Sequence, residues 1–143
     1  MHFLYQTGET WLCIPTAAAG IIRDSSSSSW LGTRFGLRDN TRYIIQRLPV
    51  DEENRARSIF GLPPIGRDER TNFIMREIGS SLILSQCSGE FRGDWLSCSG
   101  GYDLEFDKST LRFQLFFPGS YVHGDRVPFS TGPYVQIGTC SRL

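Results

Sequence analysis

The stretch YDLEFDKSTLRFQLFF, residues 102–117, limits the fold more than any other part of the chain. With Asp107–Thr110 as a four-residue hairpin loop, Phe106 falls opposite Leu111, Leu104 opposite Phe113 and Tyr102 opposite Leu115, all on one side of the ribbon. Glu105 then faces Arg112 and Asp103 faces Gln114 on the other side. One register satisfies both faces, and a one-residue slip would turn one strand inside out. The acidic side chains have a structural use in this arrangement, which argues against Glu105 and Asp103 as a catalytic carboxylate pair.

The same period of two recurs along the chain. WLGTRFGLR (30–38) puts Leu31, Thr33, Phe35 and Leu37 on one face and Gly32, Arg34, Gly36 and Arg38 on the other. TRYIIQRL (41–48), TWLCIP, NFIMREI, SLILSQC, DWLSC and PYVQIGTC read as further strands, punctuated by Gly, Ser and Asn. DSSSSSW (24–30) reads as a flexible loop, and CSGG (98–101) as a turn leading into the 102–117 hairpin. One segment, DEENRARSIFGLPP, predicts a short helix over 51–60, with Asp51 as N-cap, Ala56, Ile59 and Phe60 as its buried stripe, and Pro63-Pro64 beyond its end. Such a helix needs packing to persist, and is expected to close one end of the sheet structure. The fold expected is mainly β: a single domain over 1–143, either a small antiparallel barrel of lipocalin-like type or a β-sandwich, with about seven to nine strands and one short helix. A chain of 143 residues buries roughly 68% of its unfolded surface, enough for a real core.

Fifteen basic residues balance fifteen acidic ones, and neither half of the chain is a basic arm or an acidic tail. A neutral surface exerts no long-range pull on phosphate backbones or anionic lipid, so no nucleic-acid partner and no membrane partner are expected. No apolar run approaches the roughly 20 residues of a membrane-spanning helix. Lys108 is the one lysine among the basic residues. Arginine suits bidentate and stacked contacts with a partner, although a GC-rich genome produces the same bias.

Four cysteines, Cys13, Cys87, Cys98 and Cys140, permit two disulfides in three connectivities. The pairs to test are Cys87 with Cys98, at the two ends of a candidate hairpin, and Cys13 with Cys140. The N-terminus shows no basic region followed by an apolar stretch of signal-peptide type. As written, the chain is therefore expected in the cytoplasm, with its thiols reduced; a removed leader would place it in the periplasm or outside the cell.

No Walker loop, GxGxxG, GxSxG or Cys-x-x-Cys is present. Neither a cofactor nor a metal is expected, because two histidines and four widely spaced cysteines match no ligand pattern. His123, beside Asp125 in GSYVHGDR, is the one candidate for acid–base chemistry, and it supports a hydrolase only weakly. The run RGDW (92–95) resembles the tip of disintegrin loops over those few residues alone; disintegrins are small and cysteine-dense, and no integrin-binding role is carried over. Arg, Tyr and Trp are the residue types enriched at binding hot spots. The function expected is non-enzymatic binding of another protein, in the manner of a small inhibitor of a host enzyme encoded by a phage or mobile element. The candidate contact residues are Trp30, Arg92, Asp94, His123, Arg126 and Phe129. The alternative is a barrel carrying a small apolar ligand.

Overall fold

The computed structural model describes residues 9–24, 26–27, 29–37, 41–119, 122 and 132–143. The strands are β1 (Trp11–Asp24), β2 (Ser29–Phe35), β3 (Tyr43–Arg47), β4 (Phe73–Glu77), β5 (Ile83–Gln86), β6 (Trp95–Gly100), β7 (Asp103–Asp107), β8 (Arg112–Phe117) and β9 (Tyr134–Arg142), with helix α1 (Val50–Ile59) between β3 and β4. The sheet order is β2-β1-β3-β4-β5-β6-β7-β8-β9, and β9 pairs back onto β1. Eight strands thus close into an antiparallel barrel, with β2 as an additional strand. Of the two architectures expected from the sequence, the barrel is the one observed.

Closure depends on the length of β1. Its first residues, Trp11–Cys13, lie between β3 and β9; from Ala18 onward its neighbours are β2 and β9. The switch occurs at a register shift between Pro15 and Ala17. A proline cannot donate to the ladder, so it is tolerated where a bulge interrupts pairing. Gly138 sits against this irregularity: a Cβ there would strike the Ile14 carbonyl oxygen and come within 2.6 Å of the Phe113 ring. Cys13 is in register with Cys140 across the seam, and the two are bonded with Cα atoms 4.0 Å apart. Cys87 and Cys98 form the second disulfide, across β5 and β6. Both proposed pairings are therefore present.

Alternation sends Trp11, Cys13, Tyr43, Ile45, Phe73, Met75, Leu96, Cys98, Leu104, Phe106, Phe113, Leu115 and Cys140 into the barrel, where all are buried. At one end Trp11, Phe73, Phe91 and Phe106 pack with ring centroids 5.2–6.1 Å apart. The Arg47 guanidinium lies 4.2 Å over the Phe73 ring and donates to Glu9, Glu90 and the Thr71 carbonyl. This end is sealed. At the other, Tyr43, Tyr102, Tyr134, Phe35 and Phe117 form the rim.

Three expectations are corrected. The β7–β8 hairpin pairs Phe106 with Phe113, Leu104 with Leu115, Glu105 with Gln114 and Asp107 with Arg112, two places from the expected register. The turn is Lys108–Leu111, because Asp107 is its hydrogen-bonding anchor: its carboxylate accepts from the Ser109 and Thr110 N–H groups, and Leu111 takes φ 58°. A shift of two preserves both faces, which is why the face assignment survives. Helix α1 begins after Pro49 with no side-chain cap, so Asp51 lies inside its first turn. It buries none of its residues; Ile59 and Phe60 are each 79% exposed. It is held by polar ties, Glu52 to Arg76 and Asn54 to the Ile65 backbone, and Phe91, not the helix, plugs the sealed end. The segment 24–30 is in part strand rather than all loop: Asp24 ends β1, Ser29 and Trp30 open β2, and Asp24 accepts from the Ser26 N–H and from the hydroxyls of Ser26 and Ser27. These bonds, that of Ser27 first, hold the Asp24 carboxyl below the usual range.

Candidate functional site: an arm and two outer grooves

Beyond Ile21, whose N–H still donates to the Pro133 carbonyl at 2.9 Å, β1 parts from the β9 side, and Ile22–Asp24 pair with β2 alone among the described residues. The β1–β2 hairpin therefore projects past the barrel rim as an arm. Ile22 is in register with Leu31, and Arg23 with Trp30. Ile21, Ile22 and Leu31 are 40–48% exposed, an unusual apolar content for a projecting ribbon. The far edge of β2 pairs with no strand among the described residues, and such an edge is a ready template for another chain.

Apolar surface continues from the arm onto the outer wall. Ala17 is in register with Ile137, Ala19 with Val135, and Val135 with Phe116. A shallow groove of about 520 Å³ runs here, lined by Ala17, Ala19, Arg34, Phe35, Val135 and Ile137 among others. A second groove of about 620 Å³ shares Thr16 and Ile137 with the first and crosses β8 and β7 to Trp95. Trp95 points outward from β6 because its neighbours Leu96 and Cys98 alternate inward. Its indole N–H donates to Glu105, whose other oxygen accepts from the Ser97 hydroxyl at 2.9 Å. The ring is thus laid across β7 and held there, 51% exposed.

The rim beneath the arm is aromatic and hydroxylated. Tyr43 donates to Gln136 Oε1 at 2.7 Å, and Tyr134 donates to the Tyr102 hydroxyl at 3.2 Å. Burial pushes the Tyr43 phenol up to about 12, and burial followed by the bond to Tyr102 raises Tyr134 further still.

The residues singled out in the sequence do not form one site. Trp30 lies in β2 on the arm, in a strand and not in a loop. Arg92 and Asp94 lie at the sealed end, flanking Gly93 at the tip of the β5–β6 connection. Arg92 and Trp95 exchange both backbone hydrogen bonds, at 2.7 and 3.1 Å, and Gly93 takes φ 60°. Gly93 and Asp94 are the two central residues of a hairpin turn closed by Arg92 and Trp95, with glycine at the position needing positive φ. His123, Arg126 and Phe129 lie outside the described residues, as does His2. Among the described residues no histidine is present, and no three His, Cys, Asp or Glu side chains converge on a metal position.

Ile21, Ile22, Val135, Ile137 and the Trp95–Glu105 pair were not singled out from sequence. TAAAGII lacks a period of two, so its strand was not legible. For Trp95 the signal was present, since the alternation in DWLSC already turns Leu96 and Cys98 inward. Comparison with protein-family models, curated proteins and solved structures finds no match for this chain.

Proposed function

We propose that the protein is a non-enzymatic binding module that engages another protein through the β1–β2 arm. The edge of β2, unpaired among the described residues and carried on an arm with exposed Ile21, Ile22 and Leu31, is the observation that supports this reading. An extended segment of a partner adds to β2 by main-chain hydrogen bonds, and the apolar side chains select it. A narrow projecting ribbon also fits a concave surface, so inhibition of a partner enzyme is the specific form of binding that suits its shape. Two disulfides support an oxidising working compartment, the periplasm or the cell exterior. The apolar-carrier reading has less support, because the barrel interior is occupied by its own aromatic and sulfur side chains. Site-specific photo-crosslinking in the native host tests the proposal. A photoreactive residue at Leu31 captures a partner, one at Ile59 on the helix does not, and the purified complex is lost in the double variant Ile22→Lys/Leu31→Lys with the barrel's thermal transition intact. A complex that survives the double variant refutes the reading.

A further inference from the structure

We infer that the groove between Trp95 and Ile137 is a binding site for a neutral oligosaccharide, separate from the arm. Three observations carry this. The indole is flat, half exposed and immobilised: its N–H is committed to Glu105, and Glu105 is itself held by Ser97. An exposed tryptophan serving only as packing has no need of such a support, whereas a platform for stacking gains from being held in place before the ligand arrives. Next, the polar side chains along the groove are not spent on one another. Arg112 and Gln114 point outward from β8 and are exposed, and neither side chain is engaged in a hydrogen bond or ion pair in the described structure. Asp107 stands beside Arg112 in register, with one carboxylate oxygen used by the turn. Finally, the volume of about 620 Å³ falls in the range of small-ligand sites, roughly 300–1,000 Å³, but the groove is shallow and mixed rather than enclosed and apolar.

This combination matches the chemistry of a pyranose. One face of the ring carries axial C–H bonds and stacks on an indole, whose face is electron-rich. Its equatorial edge carries hydroxyls, each both donor and acceptor. Those hydroxyls match a guanidinium, a carboxamide and a carboxylate, which supply donors and acceptors in a planar array. An apolar ligand would leave Arg112, Gln114 and Asp107 unpaired beneath it. A polyanion would meet two carboxylates, Glu105 and Asp107, against one guanidinium. Ile137, 51% exposed at the far end, extends the apolar floor for a second residue of the chain.

The experiment is a nuclear magnetic resonance titration of the disulfide-bonded protein with cellohexaose, with chitohexaose and, as an acidic control, with a galacturonate hexamer. The indole N–H resonance of Trp95 and the amides of Arg112–Gln114 are expected to move with one of the neutral hexamers and not with the acidic one. Trp95→Ala is expected to weaken binding by about tenfold or more, the equivalent of roughly 1.4 kcal/mol. Because Trp95 is half exposed, the fold survives its removal, and an unchanged thermal transition confirms that. Arg112→Ala, which touches no packing, weakens binding independently of any loss of fold. No shift with either neutral hexamer at millimolar concentration overturns the inference. So does binding that Trp95→Ala leaves intact, and so do shifts centred on Trp30 and the arm. A proline-rich peptide that occupies the groove where both neutral hexamers fail also overturns it.

Discussion

At the sealed end of the barrel Trp11, Phe73, Phe91 and Phe106 pack ring on ring, and Arg47 lies across them clasped by Glu9 and Glu90. At the arm end the same number of strands finishes in Tyr43, Tyr102 and Tyr134, whose hydroxyls bond to Gln136 and to one another. The Cys87–Cys98 disulfide belongs to the sealed half, with Cys87 at the foot of β5 where the chain leaves for Phe91; the Cys13–Cys140 bond lies midway, Cys13 being two residues from Trp11 and in register with Tyr43. Aromatic packing and one of the two disulfides are thus concentrated at one end. The other end keeps polar groups, a projecting hairpin and a strand edge unpaired among the described residues. A small barrel divided in this way can spend its surface at the arm end on recognition without loosening its closure.

The largest expected effect comes from cutting the seam. In loop-entropy terms the Cys13–Cys140 bond, spanning 127 positions, is worth roughly 5 kcal/mol, and the Cys87–Cys98 bond, spanning 11, roughly 3. Serine pairs at each site, compared by urea denaturation, should rank in that order. Equal losses would mean that the barrel stays closed in the unfolded reference or that the seam is held by other contacts. Next in size is Phe91→Ala, expected to cost about 3 kcal/mol because it opens the aromatic plug to water. Its counterpart at the arm end, Tyr102→Phe, removes one hydroxyl bond and should cost about 1 kcal/mol or less. If the two variants cost the same, the division between a structural end and a recognition end fails.

Alkali separates the ends in a different way. Tyr43 and Tyr134 keep their protons more tightly in the folded state than the roughly 10 of a free phenol. The folded protein therefore binds more protons than the unfolded chain above that value. Stability is intact below about pH 10 and falls as pH rises toward the folded value of about 12 for Tyr43. Spectrophotometric titration should show late phenolate formation coinciding with unfolding. Tyr43→Phe should flatten the alkaline decline while losing about 1 kcal/mol at neutral pH through its bond to Gln136. Phe91→Ala should shift the whole curve down and leave its shape unchanged.

The sequence was informative where one face of a strand was apolar and the other polar. That pattern located β3 to β9, put the right residues inside the β7–β8 hairpin despite a register error of two, and made both disulfide pairs plausible. It gave no help where the inward face of a strand carries only small residues, as that of β1 does at Ala18 and Gly20. TAAAGII has the composition of a helix and becomes β1 because β2 and β9 hydrogen-bond it from either side, a tertiary cause with no local signature. The helix misreading has the opposite origin. Ile59 and Phe60 looked like a buried stripe because apolar residues usually are buried, but α1 is anchored by Glu52 and Asn54 instead. Of the candidate contact residues that are described, Trp30 falls on the arm; Arg92 and Asp94 drew notice because they spell a motif, and they stand at the opposite end.

The smallest effect is expected at those last two positions, and it bears on what the tripeptide is for. Arg92 and Asp94 are exposed, and the turn between them is fixed by the backbone: the paired hydrogen bonds of Arg92 and Trp95, the Lys108 N–H donating to the Asp94 carbonyl at 2.8 Å, and the positive φ of Gly93. Substituting both charged residues by alanine removes none of these, so denaturation midpoints should stay within about 0.5 kcal/mol of the parent. Gly93→Ala should cost about 1–2 kcal/mol, since an L side chain is strained at φ 60°. If the double variant proved the costlier, the charges would belong to the Arg47–Glu90 clasp nearby and the sealed end would extend to the hairpin tip. If Gly93→Ala is costlier, the turn's geometry is set by its glycine alone. Arg92 and Asp94 are then two free charges on a rigid, disulfide-anchored hairpin.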